Sequence, residues 1–140
     1  MSHILLVEDN QGQADMIIHV LSASGYEVKH ALRGLDGAKM ARTDRPDLIL
    51  MDFNLPDIDG RTLAMLLKKQ LGDADAPPIV ACTARVSANE KHIAKHFGCA
   101  DFLGKPFTPE ELLTVVGRFI PLPGDFKTER KNGDVGQNAR

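Results

Sequence analysis

Little net charge, few cysteines and the absence of any long apolar run limit what this chain of 140 residues does. Its net charge of −2 gives no general attraction to nucleic acid or anionic membranes, and no block of Lys and Arg appears. No apolar run has the length of a membrane span, and Ile4 to Val7 follows the N-terminus without the basic stretch or cleavage site of a signal peptide. We therefore expect a cytoplasmic protein that binds neither nucleic acid nor membrane directly.

The two cysteines, Cys82 and Cys99, are far apart and belong to no Cys-x-x-Cys pair. Each lies among apolar or small residues, which favours two reduced, mostly buried thiols. His92 and His96 have a spacing that binds zinc on a helix, but no Glu-x-x-His context or third ligand is evident. A solvated helix face is the favoured interpretation of the histidine pair.

Composition indicates one globular domain, because 43% of the residues are hydrophobic and 26% are charged. From Pro121 onward Pro, Gly, Asn, Gln and mixed charges dominate without apolar periodicity. We expect residues 1–120 to form the domain and residues 121–140 to be a polar tail that is disordered or loosely attached.

Strand-like and helix-like segments alternate through the domain. The predicted strands are residues 3–7, 26–32, 47–51, 79–83 and 101–104. The predicted helices are residues 11–24, 34–43, 61–71, 87–97 and 108–120. This alternation predicts a doubly wound α/β sandwich of three layers, with helices on both faces of a five-stranded parallel sheet.

Helical spacing predicts which side chains of the later helices face the core. In residues 61–71 four leucines fall on one face, and in residues 87–97 Ile93 and Phe97 are predicted to point inward. The leucines are Leu63, Leu66, Leu67 and Leu71. The last helix has the clearest start, with Thr108 as N-cap, Pro109 next and Glu111 completing a capping box.

The central strand ends on a carboxylate, since the apolar run Leu48 to Met51 is followed by Asp52 and then by a turn rich in Asp, Asn, Pro and Gly. Ligand sites of open α/β sheets lie at this end of the strands. Burying a lone carboxylate costs several kcal/mol without a compensating partner. We therefore expect compensating groups to come from the neighbouring strand ends.

Three of the other four predicted strands end on such a group. Glu8 and Asp9 follow the first strand, Thr83 ends the fourth, and Lys105 follows the fifth. Three adjacent carboxyl groups without a cation would raise the pKa of at least one of them. An all-oxygen donor set of this kind suits Mg²⁺. A carboxylate beside Mg²⁺, with an ammonium and a hydroxyl facing it, is equipped to accept a phosphoryl group as an aspartyl phosphate.

These motifs together resemble the response-regulator receiver domains of bacterial two-component signalling. The matching segments, which span residues 3–120, are Val7-Glu8-Asp9-Asn10, Met51-Asp52, Leu55-Pro56-Asp57-Ile58-Asp59-Gly60, Thr83-Ala84, Gly98 to Phe102 and Lys105-Pro106-Phe107. The resemblance implies the flavodoxin-like strand order 2-1-3-4-5. It also implies a stand-alone receiver, which is a switch rather than an enzyme with an external substrate.

The resemblance implies a role for each site residue. Asp52 would be the phosphoacceptor, with Asp9 and Glu8 binding Mg²⁺ directly and through water, and with the backbone carbonyl of Asn54 as a further ligand. Lys105 and Thr83 would bind phosphoryl oxygens, and the Lys105-Pro106 peptide bond would be cis. Phe102 would turn inward when Thr83 moves, which changes the surface of the fourth helix, fifth strand and fifth helix.

The implied partners are a histidine kinase or histidine phosphotransfer protein as donor and a protein effector downstream. Homodimer formation on phosphorylation stays open. Two other functions also stay open: a phosphohydrolase with an aspartyl-phosphate intermediate, which typically needs an acid where Asn54 stands, and an inactive or flavodoxin-like binding module.

Overall fold

A computed structural model describes residues 2–84 and 88–122. The strands in these residues are β1 (Ile4–Val7), β2 (Val28–Ala31), β3 (Leu48–Met51), β4 (Ile79–Thr83) and β5 (Asp101–Gly104). The helices are α1 (Gln11–Ala23), α2 (Gly34–Thr43), α3 (Gly60–Gln70), α4 (Ala88–His96) and α5 (Pro109–Gly117), with a 3-10 turn at Asp73–Asp75. The predicted order of five strand-helix units is confirmed.

The sheet is parallel throughout and has the order β2-β1-β3-β4-β5, as the resemblance implied. Strand β3 lies at its centre, where Leu50 pairs with Leu6 on one side and with Val80 on the other. Because all five strands point the same way, the residues that follow them gather at one edge of the sheet. This edge is where the sequence predicts the site.

Both faces of the sheet are buried. One face packs α2, α3 and α4 against the strands through residues such as Ile49, Leu63 and Ala94. The other face packs α1 and α5 through residues such as Leu50, Ile17 and Leu112. Each fully buried aliphatic side chain contributes about 1.5–3 kcal/mol of transfer free energy. The three-layer sandwich therefore explains why the central strands are continuously apolar.

The helix ends agree with the signals in the sequence. Asn10 caps α1 by accepting a hydrogen bond at Oδ1 from Gln13 N at 2.9 Å, and Gly25 follows that helix at φ 96°. At α5 the capping box is present: Glu111 N donates to Thr108 Oγ1 at 3.1 Å, and Thr108 N donates to Glu111 Oε1 at 2.8 Å.

Two predicted helix faces are confirmed in part: Leu63, Leu67 and Leu71 are buried as predicted, but other residues of the two faces are not. Leu66 is 39% exposed, because α3 turns Leu63 and Leu67 toward the sheet and leaves Leu66 at the edge of that face. In α4 the small residue Ala94 takes the buried position, while Ile93 and Phe97 are only half-buried. A stripe read from helical spacing fixes the buried direction to within one residue, and packing against the sheet decides which residue occupies it.

Strand β2 is shorter than the predicted segment 26–32. It lies at one edge of the sheet, and three of its four residues are partly exposed, which agrees with the predicted exposure. Tyr26, outside the strand, is buried and donates from its hydroxyl to Ile120 O at 2.7 Å. Ser87, the predicted start of the fourth helix, lies outside the described residues, as does most of the tail predicted for residues 121–140.

Both cysteines are free and buried, as predicted. Burial raises the pKa of the Cys82 thiol and of the Cys99 thiol to about 12. In the part of the chain that the structure describes, no helix has the length and apolar character needed to cross a lipid bilayer.

Candidate functional site

The site is assembled by the strand registers. Val7 pairs with Met51 in the sheet, so Glu8 and Asp52 follow paired residues and lie side by side. Backbone hydrogen bonds extend the pairing past the strands, since Asp52 N donates to Val7 O at 3.0 Å and Lys105 N donates to Thr83 O at 2.9 Å. The predicted gathering of polar side chains at the strand ends is therefore present.

Three carboxylates form the acidic part of the site. One ligand oxygen from each of Glu8, Asp9 and Asp52 lies within 4.8 Å of the others. Oxygens around one Mg²⁺ ion, each about 2.0–2.1 Å from the metal, are about 3–4 Å apart. The three carboxylates are therefore close enough together to share one ion. Glu8 and Asp52 are 1% and 6% exposed, whereas Asp9 is exposed to solvent.

Lys105 provides the positive charge. Its Nζ lies 2.5 Å from Glu8 Oε1 and 3.0 Å from Asp52 Oδ2, and its side chain is 11% exposed. Partial burial alone would lower the pKa of Lys105, but its hydrogen bonds to Glu8 and Asp52 outweigh burial and raise the pKa. The ammonium is therefore held in its charged form between two carboxyl groups. The predicted cis bond between Lys105 and Pro106 is confirmed.

The pKa of Glu8 is raised above its ordinary value in this site. Burial is the largest cause that raises its pKa, and repulsion from Asp52 adds to it. Hydrogen bonding to Lys105, the lysine charge and the bond from Asn10 N to Glu8 Oε2 at 3.2 Å oppose this rise without cancelling it. The sequence predicted a raised pKa from repulsion, but removal from water is the larger effect here.

The two oxygens of Asp52 have different surroundings. Oδ2 faces Lys105, while Oδ1 accepts a hydrogen bond from Asn54 N at 2.9 Å. Asn54 is exposed and begins a loop that is closed by a bridge to Asp59. The β3–α3 loop therefore turns back over the end of its own strand and fixes the orientation of the Asp52 carboxylate.

Thr83 and Phe102 lie on neighbouring strands. Thr83 ends β4, is fully buried and pairs with Gly104, while Phe102 pairs with Ala81 and is half-buried against the core. The threonine is thus one residue from Lys105 across the strand pair. The pairing therefore brings Thr83 close to Lys105, whereas Phe102 lies two positions before Gly104 on β5.

The structure shows close contacts at two further residues, His30 and Gly60, that the sequence alone does not predict. His30 Nε2 lies 2.8 Å from the backbone oxygen of Glu8, across the β1–β2 pairing, and no local pattern singles this histidine out. Gly60 is packed so closely that a Cβ there would lie 2.4 Å from Phe53 Cα. The sequence marked Gly60 as part of a motif, but the close backbone approach that requires glycine is visible only in three dimensions.

A groove adjoins the site on the side of α1 and the β5–α5 loop. It has a volume of about 350 Å³ and is lined mainly by apolar groups of Met16, Ile17, Pro106 and Phe107, and Lys105 also lines it. Lys105, one of its lining residues, also contacts Asp52.

The histidine pair does not form a metal site in the structure. Over residues 2–84 and 88–122, Glu8, Asp9 and Asp52 are the one group of three or more His, Cys, Asp or Glu side chains close enough to share an ion. His92 and His96 are exposed on α4. They fit the solvated helix face that the sequence favoured.

Comparison with known proteins agrees with this geometry. A family model described as the response regulator receiver domain matches residues 4–117. Hybrid signal transduction histidine kinase G of Dictyostelium discoideum is 35% identical over 127 residues, which are 89% of this chain and 4% of that protein. The chain spans between 4% and 56% of the length of the first three curated relatives that it matches.

Solved structures give the same result. The chemotaxis response regulator CheY4 of Vibrio cholerae superposes with a TM-score of 0.79 at 32% identity, covering 86% of this chain and 99% of that one. The receiver domain of sensor histidine kinase PA1611 from Pseudomonas aeruginosa, with a magnesium ion coordinated in its active-site cleft, has a TM-score of 0.76 at 33% identity. It covers 84% of this chain and 96% of that one.

Proposed function

Because this chain belongs to the response-regulator receiver domains, which are phosphorylation-dependent signalling domains, we propose that it receives a phosphoryl group on Asp52. The single observation that carries the assignment is the position of Lys105 Nζ, 3.0 Å from Asp52 Oδ2 and 2.5 Å from Glu8 Oε1. An ammonium fixed beside an acceptor carboxylate and an acidic cation site is what an incoming phosphoryl group requires.

Mg²⁺ is the proposed cofactor. Asp9, Asp52 and the backbone carbonyl of Asn54 would hold it directly, and Glu8 would act largely through water. When bound, the ion neutralises charge on the phosphoryl oxygens and orients them. The all-oxygen donor set and the three mutually close carboxylates support this choice, since Mg²⁺ prefers oxygen ligands and retains waters.

The proposed step is an in-line transfer. An oxygen of Asp52 attacks phosphorus, a new P–O bond forms, and the bond from phosphorus to the donor nitrogen of a phosphohistidine breaks with its electron pair leaving on nitrogen. The Lys105 ammonium pairs with one phosphoryl oxygen, and the buried Thr83 hydroxyl donates to another. The product is an aspartyl phosphate, which water later hydrolyses. The chemistry is directed at the chain itself rather than at an external substrate.

The signal would then pass through Thr83 and Phe102. Movement of Thr83 toward the phosphoryl group frees space into which the half-buried Phe102 turns, and the surface of α4, β5 and α5 changes with it. Phe102 has no hydroxyl, so the switch acts through packing alone. A protein effector that binds one form of this surface reads the phosphorylation state.

The proposed donor is a histidine kinase or histidine phosphotransfer protein, for which the apolar groove beside Lys105 offers a contact surface. We place the protein in the cytoplasm, where such donors present their phosphohistidine, and assign it no direct contact with nucleic acid or membrane. Sedimentation before and after phosphorylation tests whether a homodimer forms.

Acetyl phosphate and Mg²⁺ test the acceptor. The wild-type chain should gain the mass of one phosphoryl group on the peptide that contains Asp52, and hydroxylamine should remove it. The Asp52→Asn variant should gain none, while Asp36→Asn, which changes an exposed acid on α2, should react like the wild type. Phosphate on a different residue, or an unmodified wild-type chain, would refute the assignment.

A further inference from the structure

The N-terminus of α2 is capped by a side chain from a distant part of the chain. The local N-cap residue, Arg33, makes no side-chain hydrogen bond to the helix. Instead, Asp57 in the β3–α3 loop accepts at Oδ1 from Gly34 N and at Oδ2 from Leu35 N, each at 2.8 Å. Both carboxylate oxygens therefore bind the first backbone N–H groups of another element.

The charge on this carboxylate is stabilised by its partners. Burial would raise the pKa of Asp57, but the hydrogen bonds from Leu35 and Gly34 outweigh burial and lower the pKa. A charged carboxylate at a helix N-terminus also gains from the helix dipole. The contact is therefore built for the ionised side chain.

Packing holds the same loop against α2. A Cβ on Gly34 would lie 2.4 Å from Ile58 Cγ2, so the loop and the first turn of the helix are in direct contact there. The loop is also closed at its base, where Gly60 N donates to Phe53 O at 3.1 Å. Asp57 adds two hydrogen bonds to this packing and so ties the loop to the first turn of α2.

We propose that Asp57 is a positioning residue for the metal site. It ties the β3–α3 loop to the N-terminus of α2, and this loop carries the backbone carbonyl of Asn54. The inference rests on the proposed function, which assigns that carbonyl to Mg²⁺. Asp57 contacts neither the ion nor the phosphoryl group. It acts by keeping the loop in the position that presents the carbonyl, so that binding requires no reordering of the loop.

The chain provides a matched control in Asp59. This residue belongs to the same loop and also caps a helix, since its Oδ1 accepts from Arg61 N at 2.8 Å. Its helix is α3, which directly continues the loop. Replacing the Asp59 side chain removes a cap of the same kind and an ion pair with Arg61, while the backbone bridge to Asn54 and the contact of the loop with α2 do not depend on that side chain.

The test compares wild type, Asp57→Ala, Asp57→Asn and Asp59→Ala by calorimetric titration with Mg²⁺ alone, after circular dichroism has established that each is folded. We expect Asp57→Ala to weaken Mg²⁺ binding by about tenfold, the lower end of the range for groups that orient metal ligands. Asp57→Asn keeps one acceptor and should fall between wild type and Asp57→Ala. If Asp57→Ala does not fold, the Asn variant alone decides.

Phosphorylation kinetics provide a readout that a purely structural role would not move. The Mg²⁺ concentration at half-maximal rate with acetyl phosphate should rise in the Asp57 variants, while the rate at saturating Mg²⁺ stays near that of wild type, because Asp52 and Lys105 are unchanged. Asp59→Ala should leave both values near wild type.

The outcomes separate the two proposals. A wild-type chain that binds no Mg²⁺ overturns the proposed function and this inference with it. Wild-type binding with equally tight binding by folded Asp57 variants overturns the inference alone. Equal weakening in the Asp57 and Asp59 variants also overturns it, because general loosening of helix caps would then explain the result.

Discussion

Replacing Lys105 with methionine removes the ammonium from the acidic edge and keeps the length of the side chain. In the native structure Nζ contacts Glu8 Oε1 at 2.5 Å and Asp52 Oδ2 at 3.0 Å, and the lysine side chain is 11% exposed. The variant leaves two largely buried carboxyl groups without their shared cation. We expect it to unfold more easily than wild type when divalent ions are removed.

The expected destabilisation is the difference between the attraction that is lost and the desolvation cost that opposes it. At an effective dielectric constant of about 20, two unit charges about 3 Å apart attract by about 5.5 kcal/mol. Desolvation of the charges offsets much of this, and removal of one partner from a buried pair costs about 3–5 kcal/mol in practice. Because Glu8 has the alternative of taking up a proton, we expect the lower value, about 3 kcal/mol near neutral pH.

The loss of stability in the Lys105→Met variant should depend on pH. The pKa of Glu8 is raised in the folded protein above its ordinary value of 4.5. A raised pKa means that the folded state binds this proton more tightly than the unfolded state does. The stabilisation that results is fully present below pH 4.5 and is lost as the pH rises through the folded pKa of Glu8. Without Lys105 the folded pKa rises further, so the loss continues to higher pH. The difference between variant and wild type should be small in acid and grow toward alkaline pH.

Urea unfolding followed by far-ultraviolet circular dichroism measures this effect, which suits a chain without tryptophan. The measurements are made with chelator at about pH 5 and about pH 8. Lys29→Met is the control, because Lys29 pairs with Asp44 on the exposed surface, where ion pairs contribute little. Equal stabilities of Lys105→Met and Lys29→Met at the higher pH would refute the electrostatic argument.

Three further results are expected from the packing and capping described above. Leu63→Ala should destabilise the fold by about 3 kcal/mol, while Leu66→Ala on the exposed edge of the same helix should cost less than about 1 kcal/mol in urea unfolding; equal losses would contradict the observed register. Thr108→Ala should cost about 1 kcal/mol by the same assay because it removes the capping box, and an unchanged midpoint would count against that cap. Cys82 and Cys99, each with a pKa of about 12, should resist a thiol reagent in the native protein and react once denatured, and rapid native labelling would show that they are accessible.

The sequence predicted the edge of the site because strand ends and residue types are local features. The carboxylates after β1 and β3 and the lysine after β5 follow directly from where the apolar runs stop. Helix α2, from Gly34 to Thr43, was predicted with its observed bounds although its apolar stripe is weak. What secures its start is Asp57, and no pattern near residue 34 indicates a cap that comes from the next strand-helix unit.

Features that depend on contacts between distant segments could not be predicted. The contact of His30 with the carbonyl of Glu8 requires the register of β1 and β2, which periodicity does not supply. The exposure of Leu66 depends on how α3 lies on the sheet, and the burial of Ala94 on how α4 packs against the core. In each case the residue type permits several positions, and tertiary packing selects one.

The burial of Glu8 beside Asp52 is electrostatically unfavourable, as the raised pKa of Glu8 shows. A divalent cation bound there would offset the negative charge of the carboxylates. If it binds only the native state, it raises the free energy of unfolding by about 1.4 kcal/mol for each tenfold excess of its concentration over its dissociation constant. The melting temperature thereby becomes a label-free gauge of ion preference. A series of alkaline-earth and transition-metal salts would rank the ions by charge density and size before any phosphoryl donor is added.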